Sequence, residues 1–558
     1  MYIKRLKINN FRGIKELNWK LNKNFVCLIG PGDSTKTTIL VAIEWALYPY
    51  WNINVSDYDF YDCNVENNIN IEVTIGDFPE EFLKEENFGL YLRKDVDNEV
   101  DNDEPDSDNE AFLTIRLSIN KYYEQEWFVI NNRSEGKKIS VKDRAKLSVG
   151  RIGENFYKDF NLGRNSVLKK YGDSFDELDK SLIDVYREID NSVKDISNST
   201  LSNIANNIST VTEEYAISPQ NGFNTKIDFR NSEIGYSNIN IYDGNVPLQL
   251  NGTGTKRLMS SALNINSLNP NSIVLIDEIE YGLEPYRLRK LIKNLKEKNA
   301  NGQVIFTSHS PISVIEVEAN DIVICRSSQG KTTCTNVPNE LQDVIRAVPE
   351  ALLSKKVIVT EGKTEFGLIR SLNQKWQKED KNIEYYGVST VEGRGGDKSC
   401  KRAEELHQLG YNVLVFIDSD VKATNIKANE ISEKGIKVIQ WNDNVSTEER
   451  IFLDTPKEKI QELINIGIEI NSEEKIKQWI NQSISINTTN YNEIESALGE
   501  DKSRKELGKI SKDSGWYKRV DRGELLGDFI RENYDSFDSN KDIIKKLEKV
   551  REWAYNEI

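Results

Sequence analysis

The chain has 558 residues, of which 38% are hydrophobic and 29% are charged, and its formal net charge is −16. This length predicts two or three domains, because chains longer than about 250–300 residues usually divide into several domains, each with its own hydrophobic core. Two histidines and five scattered cysteines without a C-x-x-C pair exclude a histidine-rich metal site, a zinc ribbon and a disulfide framework. The N-terminus lacks a signal-peptide core, and no stretch approaches the roughly 20 apolar residues of a membrane span, so we expect a cytoplasmic protein without a membrane partner.

The negative net charge does not favour nucleic-acid binding over the whole surface. Part of that charge is local, because DVDNEVDNDEPDSDNE at 95–110 is a dense acidic run. Its composition predicts a solvated loop rather than a ligand site. A basic groove elsewhere in the chain is compatible with the remaining charge.

The first motif is LIGPGDSTKTTIL at 28–40, which nearly spells a phosphate-binding loop. Gly30, Lys36 and Thr37 fit Gly-x-x-x-x-Gly-Lys-[Ser/Thr], but Thr35 replaces the second glycine. An apolar strand precedes the loop and a predicted helix follows it, so backbone N–H groups would face anionic oxygens. Lys36 would contact the β- and γ-phosphates, and Thr37 would offer its hydroxyl to magnesium. A simple turn is the alternative interpretation.

Three later segments would complete a nucleotide site. SIVLIDEIEYGLEP ends a run of apolar strand residues in Asp277 and Glu278, which is costly unless the carboxylates serve a function. Asp277 is placed to hold a magnesium-bound water and Glu278 to polarise the attacking water; a strand that ends at the surface is the alternative. QVIFTSHSP ends at His309, which we interpret as a γ-phosphate sensor rather than a structural histidine. LQLNGTGTKRL puts Gly252 and Gly254 ahead of a predicted helix, where a glycine-rich loop can bind phosphate; a plain flexible loop is the alternative.

These four segments, in this order, resemble the ABC-type ATPase heads of the structural-maintenance-of-chromosomes and recombination-repair group. INNFRGIKELNWKLN is similar to the opening strands of that group, which implies that Arg12 lies near the nucleotide. In such heads the signature loop of one subunit completes the ATP site of another. The resemblance therefore implies a homodimer or higher homo-oligomer, with the helical pattern at 151–222 as a dimerisation arm. The implied ATP-binding residues are Arg12, Gly30, Gly32, Thr35, Lys36, Thr37, Thr38, Asp277, Gly252 and Gly254.

A second group of carboxylates follows further along the chain. KVIVTEGKTEFGLIRSL is a strand ending at Glu361 and then a helix, and Glu361 and Glu365 are four residues apart, so we expect them to be neighbours on one helical turn. YNVLVFIDSDVKA is a buried strand ending in Asp418 and Asp420. Carboxylates gathered at strand ends repel one another unless a divalent cation joins them. Between the two segments, the glycines of STVEGRGGDKSC suit a bend close to a metal or substrate, or else a surface loop.

The order Glu-Gly-x-x-Glu, glycine turn, Asp-x-Asp resembles the Toprim domain of topoisomerases, primases and overcoming-lysogenization-defect (OLD) nucleases. An ATPase head followed by a Toprim domain in one chain resembles the OLD family, which includes the Gabija nuclease subunit. This resemblance implies metal-dependent cleavage of nucleic-acid phosphodiesters, with two metals activating a water and stabilising the leaving oxygen. The implied metal ligands are Glu361, Glu365, Asp418, Asp420 and Glu448, the last taken from STEERIF with Glu449 as the reserve.

A basic segment near the C-terminus, SGWYKRVDRGELLG, would supply a late catalytic cation. In the resembled family a lysine steadies the transition state, and Lys518 or Arg519 occupies that position. Trp516 and Tyr517 flank the pair, and basic with aromatic side chains suit a nucleic-acid backbone. An ordinary amphipathic tail helix is the alternative.

The predicted fold is α/β, with an ABC-type ATPase head, an inserted helical arm, a Toprim domain and a helical tail. The predicted ranges are 1–150 and 223–345 for the two ATPase lobes, 151–222 for the dimerisation insert, 346–455 for the Toprim nuclease domain and 456–558 for its helical extension. Glu278, His309 and Lys518 are the predicted catalytic residues. The expected cofactors are ATP and Mg²⁺ or Mn²⁺, with two ions in the Toprim site and one with ATP.

The predicted function is an ATP-regulated, metal-dependent endonuclease in bacterial anti-phage defence. DNA is favoured over RNA as the nucleic-acid partner, and the resemblance extends to a partner defence protein such as a helicase. One alternative is a nucleic-acid-sensing scaffold whose ATPase head gates a partner effector. Another is a Toprim ribonuclease that acts on RNA such as tRNA. The missing loop glycine predicts slow ATP hydrolysis, with ATP as an allosteric input rather than fuel for cleavage.

Overall fold

The computed structural model of the protein describes residues 1–96, 99–101, 105, 110–147, 149–153, 157–162, 166–172, 199–217, 219–227, 239–268, 271–298 and 302–555. These residues form two compact units, Met1–Val337 and Pro338–Ile558. The predicted acidic loop at 95–110 lies mostly outside the described residues, and so does the central part of the predicted arm at 151–222. None of the helices in the described ranges is both long and apolar enough to cross a membrane.

The first unit contains a large mixed sheet and a separate three-stranded sheet. Its strands are β1 Tyr2–Phe11, β2 Ile14–Lys20, β3 Phe25–Ile29, β4 Ile69–Gly76, β5 Arg93–Val96, β6 Glu99–Asp101, β7 Ala111–Ile119, β8 Gln125–Ile130, β9 Lys137–Lys138, β10 Val149–Ile152, β11 Phe223–Ile227, β12 Ile239–Asp243, β13 Val246–Pro247, β14 Ile273–Ile276, β15 Gln303–Thr307, β16 Ile322–Ser328 and β17 Lys331–Asn336.

The large sheet has a parallel part and an antiparallel part. In the order β10-β14-β15-β3-β16, neighbouring strands run parallel, whereas β2, β1, β4 and β7 pair antiparallel. The parallel strands β3, β14 and β15 are buried at every position, which fits apolar runs covered on both faces. Strand β2 instead alternates between buried and exposed positions over most of its length, as a strand with one wet face does.

The helices of the first unit follow the parallel strands or precede them. They are α1 Lys36–Ala46, α2 Val141–Arg144, α3 Ser199–Glu213, α4 Thr253–Ser267, α5 Pro285–Lys298 and α6 Pro311–Glu316. Helix α1 follows β3 after the loop at residues 30–35, and most of its residues are buried. A strand–loop–helix connection of this kind points backbone N–H groups at the carboxyl edge of the sheet.

The second unit has a four-stranded parallel sheet surrounded by helices. Its strands are β18 Lys356–Thr360, β19 Val388–Glu392, β20 Asn412–Ile417 and β21 Lys437–Gln440, in the order β19-β18-β20-β21. Its helices are α7 Gln342–Ala347, α8 Lys363–Lys378, α9 Gly396–Gln408, α10 Lys422–Glu433, α11 Thr447–Asp454, α12 Ile460–Asn471, α13 Glu473–Ile484, α14 Tyr491–Leu498, α15 Glu500–Asp513, α16 Val520–Glu532 and α17 Asp542–Tyr555.

The C-terminal helices share one hydrophobic core with the sheet of the second unit. Buried residues from β18 and β20, such as Ile358 and Phe416, belong to the same cluster as Trp516 and Phe529 of the tail. Helices α8 and α16 approach closely, because a Cβ on Gly367 would lie 2.3 Å from the Val520 carbonyl oxygen. In the opposite direction, a Cβ on Gly523 would lie 2.5 Å from the carbonyl oxygen of Thr364. Glycine at both positions therefore allows backbone-to-backbone packing that any side chain would prevent.

The two units divide between Val337 and Pro338, eight residues before the boundary expected from the sequence. The short helical segment after Pro338 makes hydrogen bonds and ion pairs with other residues of the second unit. Tyr411 donates its hydroxyl proton to the Leu352 carbonyl at 2.5 Å, and Asp343 forms an ion pair with Arg402. These contacts explain why the segment groups with the second unit rather than the first.

Candidate nucleotide site and carboxylate site

Three of the sequence motifs lie side by side at one edge of the large sheet. Strands β14, β15 and β3 are consecutive and parallel. The phosphate loop follows β3, Asp277 and Glu278 follow β14, and His309 follows β15. Because the carboxyl ends of parallel strands open at the same edge, the topology brings these segments together although they are up to about 280 residues apart in the chain.

The phosphate loop wraps around its own lysine. The buried Lys36 ammonium donates to the carbonyl oxygens of Gly30 at 3.2 Å and Pro31 at 3.0 Å, and to the Ser34 hydroxyl at 3.0 Å. Burial lowers the pKa of Lys36. Gly30 has no room for a side chain, since a Cβ there would lie 2.3 Å from the carbonyl oxygen of Cys325. The lysine thus sits over the loop with its ammonium ready to exchange neutral oxygens for phosphate oxygens.

Thr35 adopts the conformation that the missing glycine would adopt. Its φ of 64° and ψ of 16° lie in the left-handed region, where a β-branched residue is strained. Its hydroxyl donates to the Ser34 carbonyl at 2.7 Å and lies 3.1 Å from the hydroxyl of Thr332. Its methyl group lies 3.1 Å from the position of a Cβ on Gly13. The loop keeps the glycine-type backbone, but the threonine side chain tethers it to its neighbours.

Replacing Thr35 with glycine is expected to raise ATP turnover about fivefold, since the left-handed strain is on the order of 1 kcal/mol and the tethers are removed. The measurement is steady-state phosphate release by the purified full chain. Thr35→Ser is the matched control, because it removes the methyl group and keeps the hydroxyl. Equal turnover in Thr35→Gly and the unchanged protein would show that Thr35 does not limit hydrolysis.

The remaining loop positions predicted from the sequence also lie at this edge. Gly32 is exposed, with open space around its α-carbon, and Thr38 lies half-buried in the first turn of α1. Thr37, in the same turn, donates its hydroxyl proton to Oδ1 of Asp277 at 3.0 Å. Thr307, at the end of β15, donates to the same oxygen at 2.8 Å. One carboxylate oxygen thereby joins the loop helix to two strand ends, which is the connection that a phosphate-bound cation site requires.

Arg257, which the sequence did not single out, lies next to Glu278. Glu278 has a φ of 46°, and its N–H donates to the Thr307 hydroxyl at 2.7 Å. The fully buried Arg257, on α4, donates to the carbonyl oxygens of Asp277 and Gly153 and lies 3.5 Å from that of Glu278. A strained backbone persists where its surroundings over-determine it, and here an arginine provides the restraint. An arginine within an otherwise ordinary helix gives no sequence signal for this role.

His309 is exposed, and its position depends on another missed residue, Glu280. Glu280 accepts from the Ser308 hydroxyl at 2.8 Å and from the backbone N–H of His309 at 2.6 Å. This carboxylate fixes the turn after β15 and leaves the imidazole at the surface. The role of His309 as a γ-phosphate sensor stays a prediction.

Arg12 lies next to helix α1, but its charge is already paired. Its guanidinium donates to Asp59 at 2.9 Å and lies over the rings of Phe11 and Trp45, at 5.2 and 5.4 Å from their centroids. Trp45 belongs to α1, so Arg12 contacts the loop helix at the end away from Lys36. A contact between Arg12 and a nucleotide stays a prediction.

The glycine-rich segment differs from its prediction in one respect. Helix α4 begins at Thr253, so Gly252 is its N-cap and Gly254 lies in its first turn rather than ahead of it. Gly254 packs closely against the chain after β14, since a Cβ there would lie 2.3 Å from the Gly282 carbonyl oxygen. Gly252 faces open space. The exposed amide groups at this helix start are suited to an anion.

The carboxylates of the second unit lie at the carboxyl edge of its sheet. Strands β19, β18 and β20 are adjacent and parallel, and they end next to the glycine turn, Glu361 and Asp418 respectively. One cavity of about 400 Å³ opens there. The charged residues lining it are Glu361, Lys363, Glu365, Asp418, Asp420, Glu448, Lys512 and Lys518. The structure therefore brings all five predicted metal ligands and the predicted catalytic lysine to one cavity.

Glu361 and Glu365 meet there by a route other than the predicted one. Helix α8 begins at Lys363, so Glu361 precedes the helix and does not share a helical turn with Glu365. Glu365 is instead the third residue of the helix, where it accepts from the N–H of Gly362 at 2.9 Å. Glu361 accepts from the N–H of Asp418 at 2.8 Å. The strand end and the first helical turn, rather than one helix face, bring the two carboxylates together.

Two of the other cavity carboxylates are also held in place by hydrogen bonds. Asp418 accepts from the N–H and the hydroxyl of Thr447 at 2.9 and 2.8 Å, and Glu448 accepts from the Thr364 hydroxyl at 3.3 Å. Glu449, the reserve candidate, does not line the cavity and accepts from the N–H of Ser446 at 2.9 Å. The first turn of α11 thus points Glu448 into the cavity and uses Glu449 as a helix cap.

Burial and mutual repulsion raise the pKa of most of these carboxyl groups. For Glu365, burial and then the charges of Glu448 and Glu361 raise the pKa to about 7. For Asp418, burial and then the charges of Glu365, Glu361 and Glu448 raise the pKa well above its ordinary value. Burial is the largest cause of the raised pKa of Glu361 and of Glu448. At neutral pH this cavity needs either protons or cations to offset its charge.

The donor set fits a hard divalent cation. It consists of carboxylate oxygens, which Mg²⁺ and Mn²⁺ prefer, and it contains neither histidine nor cysteine. As the side chains of the described residues stand, no group of three or more His, Cys, Asp or Glu is arranged to hold a metal ion. Four of the cavity carboxylates accept hydrogen bonds and Asp420 is paired with Lys512, so ligation would require their side chains to turn toward one shared point.

The basic segment near the C-terminus is partly corrected. Lys518 lines the cavity, whereas Arg519 is exposed and pairs with Asp521 at 3.0 Å. Trp516 and Tyr517 are wrongly predicted as a platform for nucleic acid, because both are fully buried in the hydrophobic core. In the turn before α16, residues 516 and 517 are buried and residues 518 and 519 are exposed. The four side chains therefore do not form one stacking surface.

The raised pKa values predict how stability depends on pH. A carboxyl group whose folded pKa is raised disfavours the folded state as it ionises, so metal-free stability should fall as pH rises from about 4.5 toward 7. Thermal unfolding in EDTA at pH 5 and pH 8 measures this. Glu365→Gln should flatten the difference, and an unaltered pH dependence in that variant would contradict the assignment.

Two family models match the chain. The model described as "AAA domain, putative AbiEii toxin, Type IV TA system" matches residues 25–315, which is more than half of the chain, so the chain belongs to this ATPase family. The model described as "Overcoming lysogenization defect protein-like, TOPRIM domain" matches residues 352–420. The second range contains the strand ends that carry Glu361, the glycine turn and Asp418.

The chain is also similar to individual proteins. The Old nuclease of Escherichia phage P2 is 21% identical over 469 residues, which cover 74% of this chain and 76% of the phage protein. Among solved structures, the SMC head domain from Thermotoga maritima has 13% identity and a TM-score of 0.31, covering 61% of this chain and 100% of that one. The Pyrococcus furiosus Smc head bound to a domain of ScpA has 12% identity and a TM-score of 0.38, covering 62% and 99%. With TM-scores this low, the strand order and the family models carry the fold assignment.

The fold and the two matches define the class of protein: a nuclease with a TOPRIM domain and an associated ATPase domain, two domain types that in general use a divalent metal and a nucleotide. Within that class, the TOPRIM match and the identity with the phage P2 Old nuclease support the OLD-type nuclease predicted from the sequence. The predicted α/β fold, with an ATPase domain followed by a TOPRIM domain and helices, is thereby confirmed. The likeness to the Gabija nuclease subunit stays a prediction.

Proposed function

We propose that this protein is an ATP-regulated endonuclease that uses Mg²⁺ or Mn²⁺ to cleave phosphodiesters of DNA. One observation carries the proposal: five carboxylates and three lysines from two strand ends and the adjoining helices line a single cavity. A cavity with this charge pattern suits cations next to a polyanionic backbone. The cavity is distinct in sequence from the nucleotide site, since its residues all lie beyond Pro338.

The roles of individual residues follow from their positions. Glu361, Glu365, Asp418, Asp420 and Glu448 would hold two metal ions, which would supply an activated water and charge neutralisation at the leaving oxygen. Thr447 orients Asp418 through two hydrogen bonds, as outer partners orient metal ligands. Lys518, exposed at the rim of the cavity, would pair with a phosphate oxygen of the substrate. Gly395, with a φ of 104°, also lines the cavity and permits backbone to approach the substrate.

ATP would act as an allosteric input in this proposal. Lys36 and Thr37 would bind the phosphates and one magnesium ion, with Asp277 holding a magnesium-bound water. Glu278 would polarise the attacking water, with His309 as the γ-phosphate sensor. The helix start at Gly252 would complete the ATP site of a second copy of the chain, which makes the active form a homodimer or higher homo-oligomer.

A role in bacterial anti-phage defence, with a partner protein such as a helicase, belongs to the same proposal. It is supported by the match to the OLD-like TOPRIM model and by the similarity to a phage-encoded nuclease. Expression in a phage-sensitive bacterium should lower plaque numbers, and the variant that loses cleavage should lose the protection.

The experiment that tests the biochemical proposal uses the purified full chain. Supercoiled plasmid, linear DNA and tRNA are incubated with Mg²⁺, Mn²⁺ or EDTA, each with and without ATP. We expect cleavage of DNA with either metal, none in EDTA, and a change in rate when ATP is added. Cleavage confined to tRNA would replace DNA by RNA as the substrate, and no cleavage of any nucleic acid would favour a sensing scaffold.

A further inference from the structure

Lys512 occupies a fixed position on the wall of the carboxylate cavity. It lies near the end of helix α15, four residues after Gly508 and therefore on the same helix face. A Cβ on Gly508 would lie 2.7 Å from Cα of Glu449, so the backbone of α15 is packed directly against α11. This close packing sets Lys512 beside the cavity independently of the flexibility of its own side chain.

The ammonium group of Lys512 has two carboxylate partners. It forms a close ion pair and hydrogen bond with Oδ2 of Asp420, one of the five cavity carboxylates. It also lies 3.9 Å from Oε2 of Glu449, which does not line the cavity. Both carboxylates are largely buried, at 14% and 13% side-chain exposure, so the two pairs are shielded from water and salt.

Lys518 provides a comparison within the same cavity. It is exposed, and among the described residues it has no carboxylate within ion-pair distance. Lys512 and Lys518 therefore carry the same charge beside the same carboxylates, but of these two only Lys512 forms an ion pair with a predicted metal ligand. Any effect specific to that engagement should appear with Lys512 and not with Lys518.

We propose that Lys512 is a built-in counter-cation that competes with the divalent metal for Asp420. Metal binding requires the ammonium to leave Asp420 and to pair with Glu449 instead. Lys512 and Glu449 together then determine how tightly the cavity binds its metal. This inference rests on the proposed metal site, and it concerns a residue pair to which the sequence motifs assign no role.

The test is Mn²⁺ binding to the full chain without ATP or nucleic acid, measured by electron paramagnetic resonance of free Mn²⁺. Lys512→Gln is expected to bind Mn²⁺ about tenfold more tightly, since a competing half-buried charge is removed. Lys512→Arg keeps the charge and should stay near the unchanged protein. Lys518→Gln is the matched control, and its effect should be less than about twofold because the lost charge is solvent-exposed.

Glu449 gives a change in the opposite direction. Glu449→Gln retains the cap of helix α11, because glutamine serves at this capping position as glutamate does. Without its second partner, Lys512 should remain on Asp420, and Mn²⁺ should bind about threefold more weakly, a loss that disappears when Lys512→Gln is also present. A Glu449→Gln effect of equal size in both backgrounds would overturn the exchange between partners.

The failure of this inference can be told apart from the failure of the proposed function. If Asp418→Asn binds as much Mn²⁺ as the unchanged protein, the carboxylate cavity is not the metal site and both proposals fall. If Asp418→Asn loses binding but Lys512→Gln behaves like Lys518→Gln, only the role of Lys512 is overturned. Thermal unfolding of each variant in EDTA identifies any that do not fold, and Lys512→Arg then remains as an informative substitution.

Discussion

Asp418→Asn is expected to lower metal-dependent DNA cleavage by more than about 100-fold, since even the outer partners of metal ligands typically contribute 10- to 100-fold. Asparagine keeps an oxygen that can accept from Thr447, so the local hydrogen bonds survive and only the charge is lost. Because the pKa of Asp418 is raised by burial and by neighbouring carboxylates, removing its charge should not destabilise the fold at neutral pH. The measurement is the initial rate of plasmid cleavage in Mg²⁺ and in Mn²⁺.

Asp397→Asn is the matched control for this prediction. Asp397 lies in the first turn of α9, near the same edge of the sheet, but pairs with Lys427 at 2.7 Å and does not line the cavity. Its substitution should leave cleavage within about twofold, as expected for an exposed ion pair. A fully active Asp418→Asn protein with normal thermal unfolding would remove the cavity from consideration as the cleavage site.

Lys36→Met is expected to weaken ATP binding by about 10- to 100-fold, because hydrogen bonds to charged groups contribute about 1.5–3 kcal/mol. The effect should fall on affinity and not on folding, since methionine preserves most of the buried aliphatic stem. Binding of a fluorescent ATP analogue to the full chain measures it. If ATP regulates cleavage, the same variant should also lose the change in cleavage rate that ATP produces.

Lys290→Met serves as the control, since Lys290 is exposed on helix α5 of the same unit. It should bind the analogue as the unchanged protein does. Undiminished binding by Lys36→Met would mean that the degenerate loop is only a turn and that the nucleotide, if bound at all, is held elsewhere.

The sequence predicts the strand-end residues well for a physical reason. A buried parallel strand is a continuous apolar run, so a carboxylate at its end, such as Asp277, Glu361 or Asp418, stands out against it. The order of such runs then predicts which ends share an edge, and the ATPase-plus-TOPRIM architecture follows. What this pattern does not contain is the conformation between the runs, which explains why the start of α4 at Thr253 and that of α8 at Lys363 differ from expectation.

Residues that act from helices escape the same reasoning. Lys512 lies 92 residues after Asp420 in a Lys/Glu-rich tail, where one lysine resembles the next until the helix packing is known. Arg257 is similar, because a basic residue within a helix is ordinarily read as a surface residue. Trp516 and Tyr517 show the reverse error. Aromatic residues beside basic ones suggest a binding surface, but both of these side chains are buried in the hydrophobic core.

The glycine contacts between α8 and α16 also bear on how such a protein can be rearranged. The matched TOPRIM range ends at residue 420, but the helix that carries Glu365 rests on glycine-lined backbone about 100 residues further on. A transplant of the matched segment into another scaffold would carry Glu361, Asp418 and Asp420 without the surface that seats their neighbours. The segment that must be transferred as one piece is therefore longer than the range that the family model matches.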